Sequence, residues 1–264
     1  MESRVTTSPT VSIVTPVRNA SGTLARCLDS VASQATSVIE HIVVDGHSDD
    51  GSRELLGRRE GDFLKVIDAL PRGIADAFNQ GVAAARGDVI GIVNADDWYE
   101  PGAIEAVRRR FDGRTMIVHG RVRLHDIRSG TSRVSPGREY REERDFRPLE
   151  RMPAQHPSCF VSRAAYELAG SFTPSFRLAM DYEFLLRCHL AGIPFLFVPE
   201  IIVNHASGGA SSIDPRGARR EMLAAQVLHT RRVLRPLYLF AREEWSGLER
   251  RVRRSLLGRQ RGRG

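Results

Sequence analysis

Residues 73–98 read GIADAFNQGVAAARGDVIGIVNADDW, and two periodicities meet in this stretch. Across Gly73–Arg86, Ile74, Phe78 and Val82 recur four apart, which makes one face of a helix, and Gly87 supplies its stop. Val89–Val93 (VIGIV) then forms a continuous apolar run that passes straight into Asn94-Ala95-Asp96-Asp97-Trp98. A strand apolar on both faces belongs in a parallel sheet with helices on either side.

The same alternation extends outward. Towards the N-terminus, Val11–Thr15 (VSIVT) is a buried strand ended by Pro16, with Asn19 and Ser21 as N-cap oxygens for a helix bearing Leu24, Leu28, Val31 and Ala35. His41–Asp45 (HIVVD) and Leu64–Ile67 (LKVI) are two further strands, the first running into the polar loop GHSDDGS. Towards the C-terminus, a helix starts near Pro101 with Ile104, Val107 and Phe111 on one face, followed by a strand at Met116–His119. His125–Gln155 is charged and aperiodic, and is expected to be a long loop with short strands, a lid or acceptor platform. Cys159–Val161 and Phe195–Val198 read as strands. Ser162–Ala169 and Asp181–Ala191 read as helices closed by Gly170 and Gly192, and Gly208–Ser212 as a flexible loop. The expectation is an α/β fold with a Rossmann-like, mostly parallel central sheet flanked by helices.

Composition fits this class. The chain has 264 residues, 41% of them hydrophobic, which suits one domain with an appended tail rather than a disordered or fibrous chain. The domain is expected over 1–213 and a basic helical extension over 214–264. No apolar run approaches the ~20 residues that span a bilayer, and the first ten residues lack the apolar core of a signal peptide. A cytoplasmic location follows as an expectation. Cys27, Cys159 and Cys188 share no close spacing, and each sits among apolar residues, as buried thiols do. The formal net charge of +7 is concentrated in LERRVRRSLLGRQRGRG at the C-terminus. There it suits either an anionic membrane surface, at the inner face of the cell membrane, or a solvated helix face with a frayed tail, and both better than a nucleic-acid reader. Arg231–Arg263 mixes arginines with Leu234, Leu237, Phe240, Trp245, Leu248 and Val252; it reads either as an amphipathic helix on a leaflet or as one packed on the domain.

In open parallel sheets, ligands bind beyond the carboxyl ends of the strands. Arg18 and Asn19, then Asp45, then Asp96 and Asp97 fall at such ends. Adjacent carboxylates repel each other, and a hard divalent cation such as Mg²⁺ or Mn²⁺ relieves them while bridging phosphate oxygens. The other reading of Asp96-Asp97 is an N-cap pair before Pro101. Asp45 suits a hydrogen bond to a base or ribose, whereas Asp49 and Asp50 suit turn chemistry. Asp181 opens a helix, either as a plain cap or as a carboxylate kept ionised by the dipole.

Taken in order, VSIVTPVRNASGTLARCLDSV, VVDGHSDDGS, RGIADAFNQGVAAARGDVIGIVNADDWY, HPSCFVSRAAYELAGSF and MDYEFLLRCHLAG resemble glycosyltransferase family 2 from about Val11 to Ser212. The resemblance implies a GT-A fold and an inverting, metal-dependent transferase. Such an enzyme moves a sugar from a nucleotide-diphosphate-sugar donor to a glycan or lipid-linked acceptor, in cell-surface glycan or glycolipid assembly. It also implies residue roles. Thr15, Pro16 and Arg18 line the nucleotide pocket, and Asp45 meets the base. Asp76 and Asn79 approach the donor sugar and diphosphate. Asn94 opens the acidic motif, Asp96 meets ribose or metal, Asp97 holds the metal, and Asp181 is the base. In the same light His156 suits acceptor binding or a structural role, His205 suits the metal shell, and Trp98 either stacks on a sugar or anchors the core. Asn94 stands where relatives carry Asp, and Gly46 follows Asp45 where many carry a second acid. The Gln-x-x-Arg-Trp motif of processive synthases is missing, so addition of one sugar is expected. Two other classes are a nucleotidyltransferase, for which TPVRNASGT is a poor phosphate loop, and a nucleotide-sugar binder without catalysis.

Overall fold

The computed structural model describes residues 9–34, 37–70, 72–112, 116–126, 129–135, 154–206 and 214–230, with positions 234, 236–238, 240 and 241 beyond them. The expected loop at 208–212, most of the basic C-terminal segment and the centre of the expected lid lie outside these residues.

Among the described residues, nine strands form one sheet: β1 Val11–Val17, β2 Glu40–Asp45, β3 Leu64–Asp68, β4 Val89–Ile92, β5 Trp98–Tyr99, β6 Ile117–Asp126, β7 Thr131–Val134, β8 Cys159–Ser162 and β9 Phe195–Ala206. Their order is β3-β2-β1-β4-β8-β6-β9-β5, with β7 paired to β6. The first four run parallel. Beyond β4 the sheet is mixed: β8 is antiparallel to both β4 and β6, while β9 runs parallel to β6. The helices are α1 Ser21–Ala32, α2 Ser52–Gly57, α3 Ile74–Ala84, α4 Ala103–Arg108, α5 Arg163–Ala169, α6 Met180–Leu190 and α7 Pro215–Thr230. This is the α/β class the sequence implies.

The two-residue period of β1 explains why both its faces are covered. Val14 packs into one apolar cluster with Ala75 and Phe78 of α3, whereas Val11 and Ile13 join Cys27 and Val31 of α1. Helix α3 comes so close to β1 that a Cβ on Gly81 would overlap Val14 Cγ1 and lie 3.2 Å from Val14 Cβ. Helix propensity alone favours Gly81→Ala by ~1 kcal/mol. The overlap reverses that sign: Gly81→Ala is expected to lower stability by about 1–3 kcal/mol, read from the urea midpoint, and a stabilised variant would show that the helix does not press on the strand.

Several boundaries differ from those expected. Strand β9 runs through Pro199, because the β6–β9 register shifts between His119 and Val122; the proline, which lacks an N–H, is accommodated at this irregularity. The segment after Trp98 adds a strand, β5, whose pairing Trp98↔Asn204 and Tyr99↔Val203 ties the acidic motif to the end of β9. Neither Asn19 nor Ser21 caps α1 by its own side chain. Instead the loop after β2 caps it from a distance: Ser48 Oγ, Ser52 Oγ and Asp50 Oδ2 accept the N–H groups of Asn19, Ala20 and Ser21 at 2.8–3.0 Å. Asp50 therefore has the structural role expected of it, and the bonds it accepts from the Ser52 hydroxyl and the Ser21 N–H hold its pKa below the usual carboxylate range. Ser162 is a genuine N-cap, accepting from Ala165 N at 3.2 Å.

The three cysteines are free and buried, and burial pushes the Cys27 and Cys188 thiols up to about 12, so neither is a nucleophile at neutral pH. Among the described residues, no helix is long and apolar enough to cross a membrane.

Candidate active site

A cavity of about 850 Å³ opens where the carboxyl ends of β1 and β4 face α6. Pro16, Arg18, Asn19 and Gly46 line it from the parallel half of the sheet, and Asn94 and Asp96 from the turn after β4. His156, Asp181 and His205 line it from the other elements. Residues 156, 181 and 205 thus share one space with the acidic motif, although 60 to 110 positions separate them from it.

Thr15, Asp45, Asp76, Asn79 and Asp97 are not part of the lining. Thr15 is fully buried, its Oγ1 2.8 Å from His41 Nε2; burial lowers the His41 pKa to about 3, so that imidazole is neutral. Asp45 is 2% exposed and turned onto its own loop, its Oδ1 accepting from Ser48 Oγ at 2.6 Å and its Oδ2 from Ser48 N at 3.2 Å. Asp76 accepts from Gln80 Nε2 at 2.7 Å, one turn along α3. Asn79 spends its amide on the Phe172 peptide, donating to the carbonyl at 2.9 Å and accepting from the N–H at 2.8 Å. These two bonds pin the chain ahead of α6 to α3, a structural function in place of the expected approach to donor.

Asp97 lies one layer behind the wall, with no exposed surface. Its carboxylate accepts from Ala206 N at 3.1 Å and Asn94 Nδ2 at 3.3 Å, and lies 2.9 Å from His205 Nδ1. The β5–β9 pairing makes this meeting possible. Burial works against protonation of His205. The bond to Asp97 and the charges of Asp97, Asp96 and Asp181 outweigh it, and the pKa rises above the usual value. Asp96 is pushed up by burial and then by the adjacent Asp97 charge.

These donors suit a divalent cation. Among the described residues, no three His, Cys, Asp or Glu side chains form a complete cage. Mg²⁺ and its relatives do not need one, since they take one or two carboxylates and complete the shell with water and phosphate oxygens. Asp96 is a crowded carboxylate at the wall, and Asn94 Oδ1 is buried without a hydrogen-bond partner. His205 has Nδ1 tied to a carboxylate, the arrangement that orients Nε2 as a ligand.

Asp181 sits in the first turn of α6, and its Oδ1 accepts from Tyr182 N at 2.8 Å. His156 occupies a 3₁₀ turn, stacked on Phe78 at 5.3 Å and edge-on to Phe172 at 5.6 Å. Burial lowers its pKa against the opposing pull of Asp181, so the ring is neutral.

Two contributions were not legible in the sequence. Arg26 of α1 lies over the Trp98 ring, 3.4 Å from its centroid, and donates to the Asp96 carbonyl at 3.3 Å. With His125 also against it at 4.8 Å, Trp98 is an anchor. Ala218 and Met222 of α7 line the cavity, so the helix after residue 213 forms part of its wall.

The comparisons with known proteins agree with this architecture. The model of glycosyl transferase family 2 matches residues 12–168, more than half of the chain. The hyaluronan synthase of Pasteurella multocida is 27% identical over 223 residues, which is 83% of this chain and 23% of that synthase. The chain spans less than a third of the length of the hyaluronan and chondroitin synthases it matches. Among solved structures, the mannosyltransferase PcManGT from Pyrobaculum calidifontis, in complex with GDP-Man and Mn²⁺, superposes with a TM-score of 0.65 at 19% identity, covering 86% of this chain and 66% of its own. S. aureus TarS 1–349 in complex with UDP-GlcNAc superposes with a TM-score of 0.63 at 15% identity, covering 88% and 70%. At those identities the likeness shows the fold, which is that of the GT-A glycosyltransferases. The chain belongs to glycosyl transferase family 2.

Proposed function

We propose that this chain transfers one sugar, with inversion, from a nucleotide-diphosphate-sugar to an acceptor hydroxyl in cell-surface glycan or glycolipid assembly, using Mg²⁺ or Mn²⁺. One observation carries this reading: Asp181 lines the same cavity as Asp96 and His205. The names of the similar proteins support it, since the solved neighbours hold GDP-Man with Mn²⁺ and UDP-GlcNAc.

In this reading the donor lies against Pro16, Arg18 and Asn94, with its diphosphate towards Asp96 and His205. These two residues would hold the cation, with Asp97 orienting His205 from behind. The cation, when bound, neutralises charge that develops on the departing diphosphate. The acceptor enters beside His156. Asp181 takes the proton of its hydroxyl on Oδ2, while the Tyr182 N–H holds Oδ1 in place. A single base facing the leaving group across the sugar gives direct displacement and inversion. The α/β domain of residues 1–213 supplies all these groups, and α7, at the start of the 214–264 extension, closes one side.

Thermal shift with a panel of nucleotide sugars, with and without Mn²⁺, tests the donor assignment. A ligand at one hundred times its Kd stabilises the fold by about 2.7 kcal/mol, and no shift with any donor and metal would defeat it. Asp97→Asn tests the metal site separately. Loss of a carboxylate that orients a ligating histidine is expected to raise the Mn²⁺ concentration for half-maximal turnover by ~10–100-fold. An unchanged metal requirement would remove Asp97 and His205 from the site.

A further inference from the structure

We infer that Glu221 of α7 is a positioning residue for Asp181. It is a carboxylate that fixes the chain from which the proposed base projects. The Glu221 oxygens accept three successive backbone N–H groups: Arg177 at 3.1 Å, Leu178 at 2.8 Å and Ala179 at 2.9 Å. Ala179 is the N-cap of α6, and Asp181 follows two residues later. Residues 177–179 themselves line the cavity, as do Ala218 and Met222 on either side of Glu221.

Physical chemistry favours such a clamp. The N–H of an N-cap residue and those just ahead of it have no intrahelical partner, and a carboxylate satisfies them while complementing the dipole. No side chain caps α6 at Ala179, and the Glu221 carboxylate instead fixes the N-cap N–H and the two ahead of it. Segment 169–179 is then held from three directions: by Asn79 at Phe172, by Arg187 at the carbonyls of Ala169 and Ser171, and by Glu221 at its C-terminal end. Of these, the Glu221 bonds act directly on the turn leading into Asp181. Helix α7 also has independent attachments to α6. Gln226 Nε2 donates to Tyr182 Oη at 2.7 Å, and His229 Nε2 lies 2.7 Å from Glu183 Oε1. Removing the Glu221 carboxylate therefore releases the turn without detaching the helix. A base must lie within hydrogen-bond reach of the acceptor hydroxyl, ~2.6–3.2 Å, and a ~1 Å misplacement costs ~100-fold.

This inference rests on Asp181 being the base, and the test separates the two. Glu221→Ala, Glu221→Gln, Asp181→Asn and the double variant Glu221→Ala/Asp181→Asn are made in the full chain. Hydrogen exchange at the amides of 177–179 is measured first. Release of UDP or GDP from UDP-GlcNAc or GDP-mannose with Mn²⁺ follows, with water as acceptor. Glu221→Ala is expected to lose protection at 177–179 and to lower kcat by ~10–100-fold, with donor KM unchanged. Glu221→Gln keeps an acceptor oxygen, protects Leu178 and Ala179, and retains activity within about threefold of the parent. The double variant is expected to be no slower than Asp181→Asn alone, because both changes act on one group. Multiplying losses in the double variant, a raised donor KM, or full activity with the amides deprotected would each overturn the role. If Glu221→Ala does not fold, Glu221→Asp, which keeps the charge but shortens the reach, replaces it with the same expected kcat loss. Undiminished turnover in Asp181→Asn would instead remove the base assignment itself.

Discussion

Asp181→Asn is expected to lower turnover by 10²–10⁴-fold, the range that general base catalysis supplies, while nucleotide-sugar binding stays as it was. Asn is nearly isosteric, and its Oδ1 can still accept the Tyr182 N–H that now holds the carboxylate. What it lacks is the oxygen that takes a proton. Asp181 lines the cavity together with Arg18, Asn94 and Asp96, and the donor contacts proposed for those three are expected to survive a change confined to residue 181. Comparing product formation with the donor-induced thermal shift reads the two effects apart. Equal loss of binding and turnover would make Asp181 a donor ligand, and retained turnover would make it a helix-start carboxylate of no catalytic consequence.

Glu40→Ala is expected to cost about 3 kcal/mol of stability without touching the cavity. Glu40 begins β2 with no exposed surface, yet it is charged. Its oxygens accept from Ser12 Oγ at 2.7 Å, Arg86 N at 2.6 Å and Arg86 Nε at 2.8 Å. It thereby joins β1, β2 and the turn between α3 and β4. Burial alone would raise its pKa, but the bonds from Ser12 and Arg86 outweigh it and hold the pKa below the usual glutamate value. The pH dependence follows from that sign. Stabilisation by Glu40 is fully present above the unfolded carboxylate pKa, and is lost as pH falls through the lower, folded one. Urea midpoints at pH 7 are expected to differ most between parent and variant, and the gap is expected to narrow in acid. A gap that persists unchanged at pH 3 would mean that packing rather than charge holds this corner.

The parallel half of the fold was legible because each of its elements has a local signature. The runs at 11–17 and 89–92 are apolar on both faces, and Phe78 marks the inner side of the α3 helix. The cavity-lining groups at strand ends were legible for the same reason, since Arg18, Asn94 and Asp96 stand at ends the periodicity defines. What escaped is tertiary. Pro199 reads as a stop, and only the register shift against β6 allows β9 to continue and carry His205 to Asp97. The α1 cap comes from Ser48, Asp50 and Ser52, some thirty residues away. Thr15 and Asn79 have side chains suited to bind a ligand, but their bonds go to His41 and to the Phe172 peptide. A polar residue near a strand end can serve the core or the cleft, and its partner decides which.

A crystal structure of Asp181→Asn soaked with Mn²⁺ and either UDP-GlcNAc or GDP-mannose tests the shared cavity most directly. Anomalous density for manganese is expected against Asp96 and His205, with the diphosphate beside it and the sugar pointing towards residue 181. Manganese lodged instead in the smaller pocket beside Asp45 and Asp68, or a sugar directed away from α6, would contradict it.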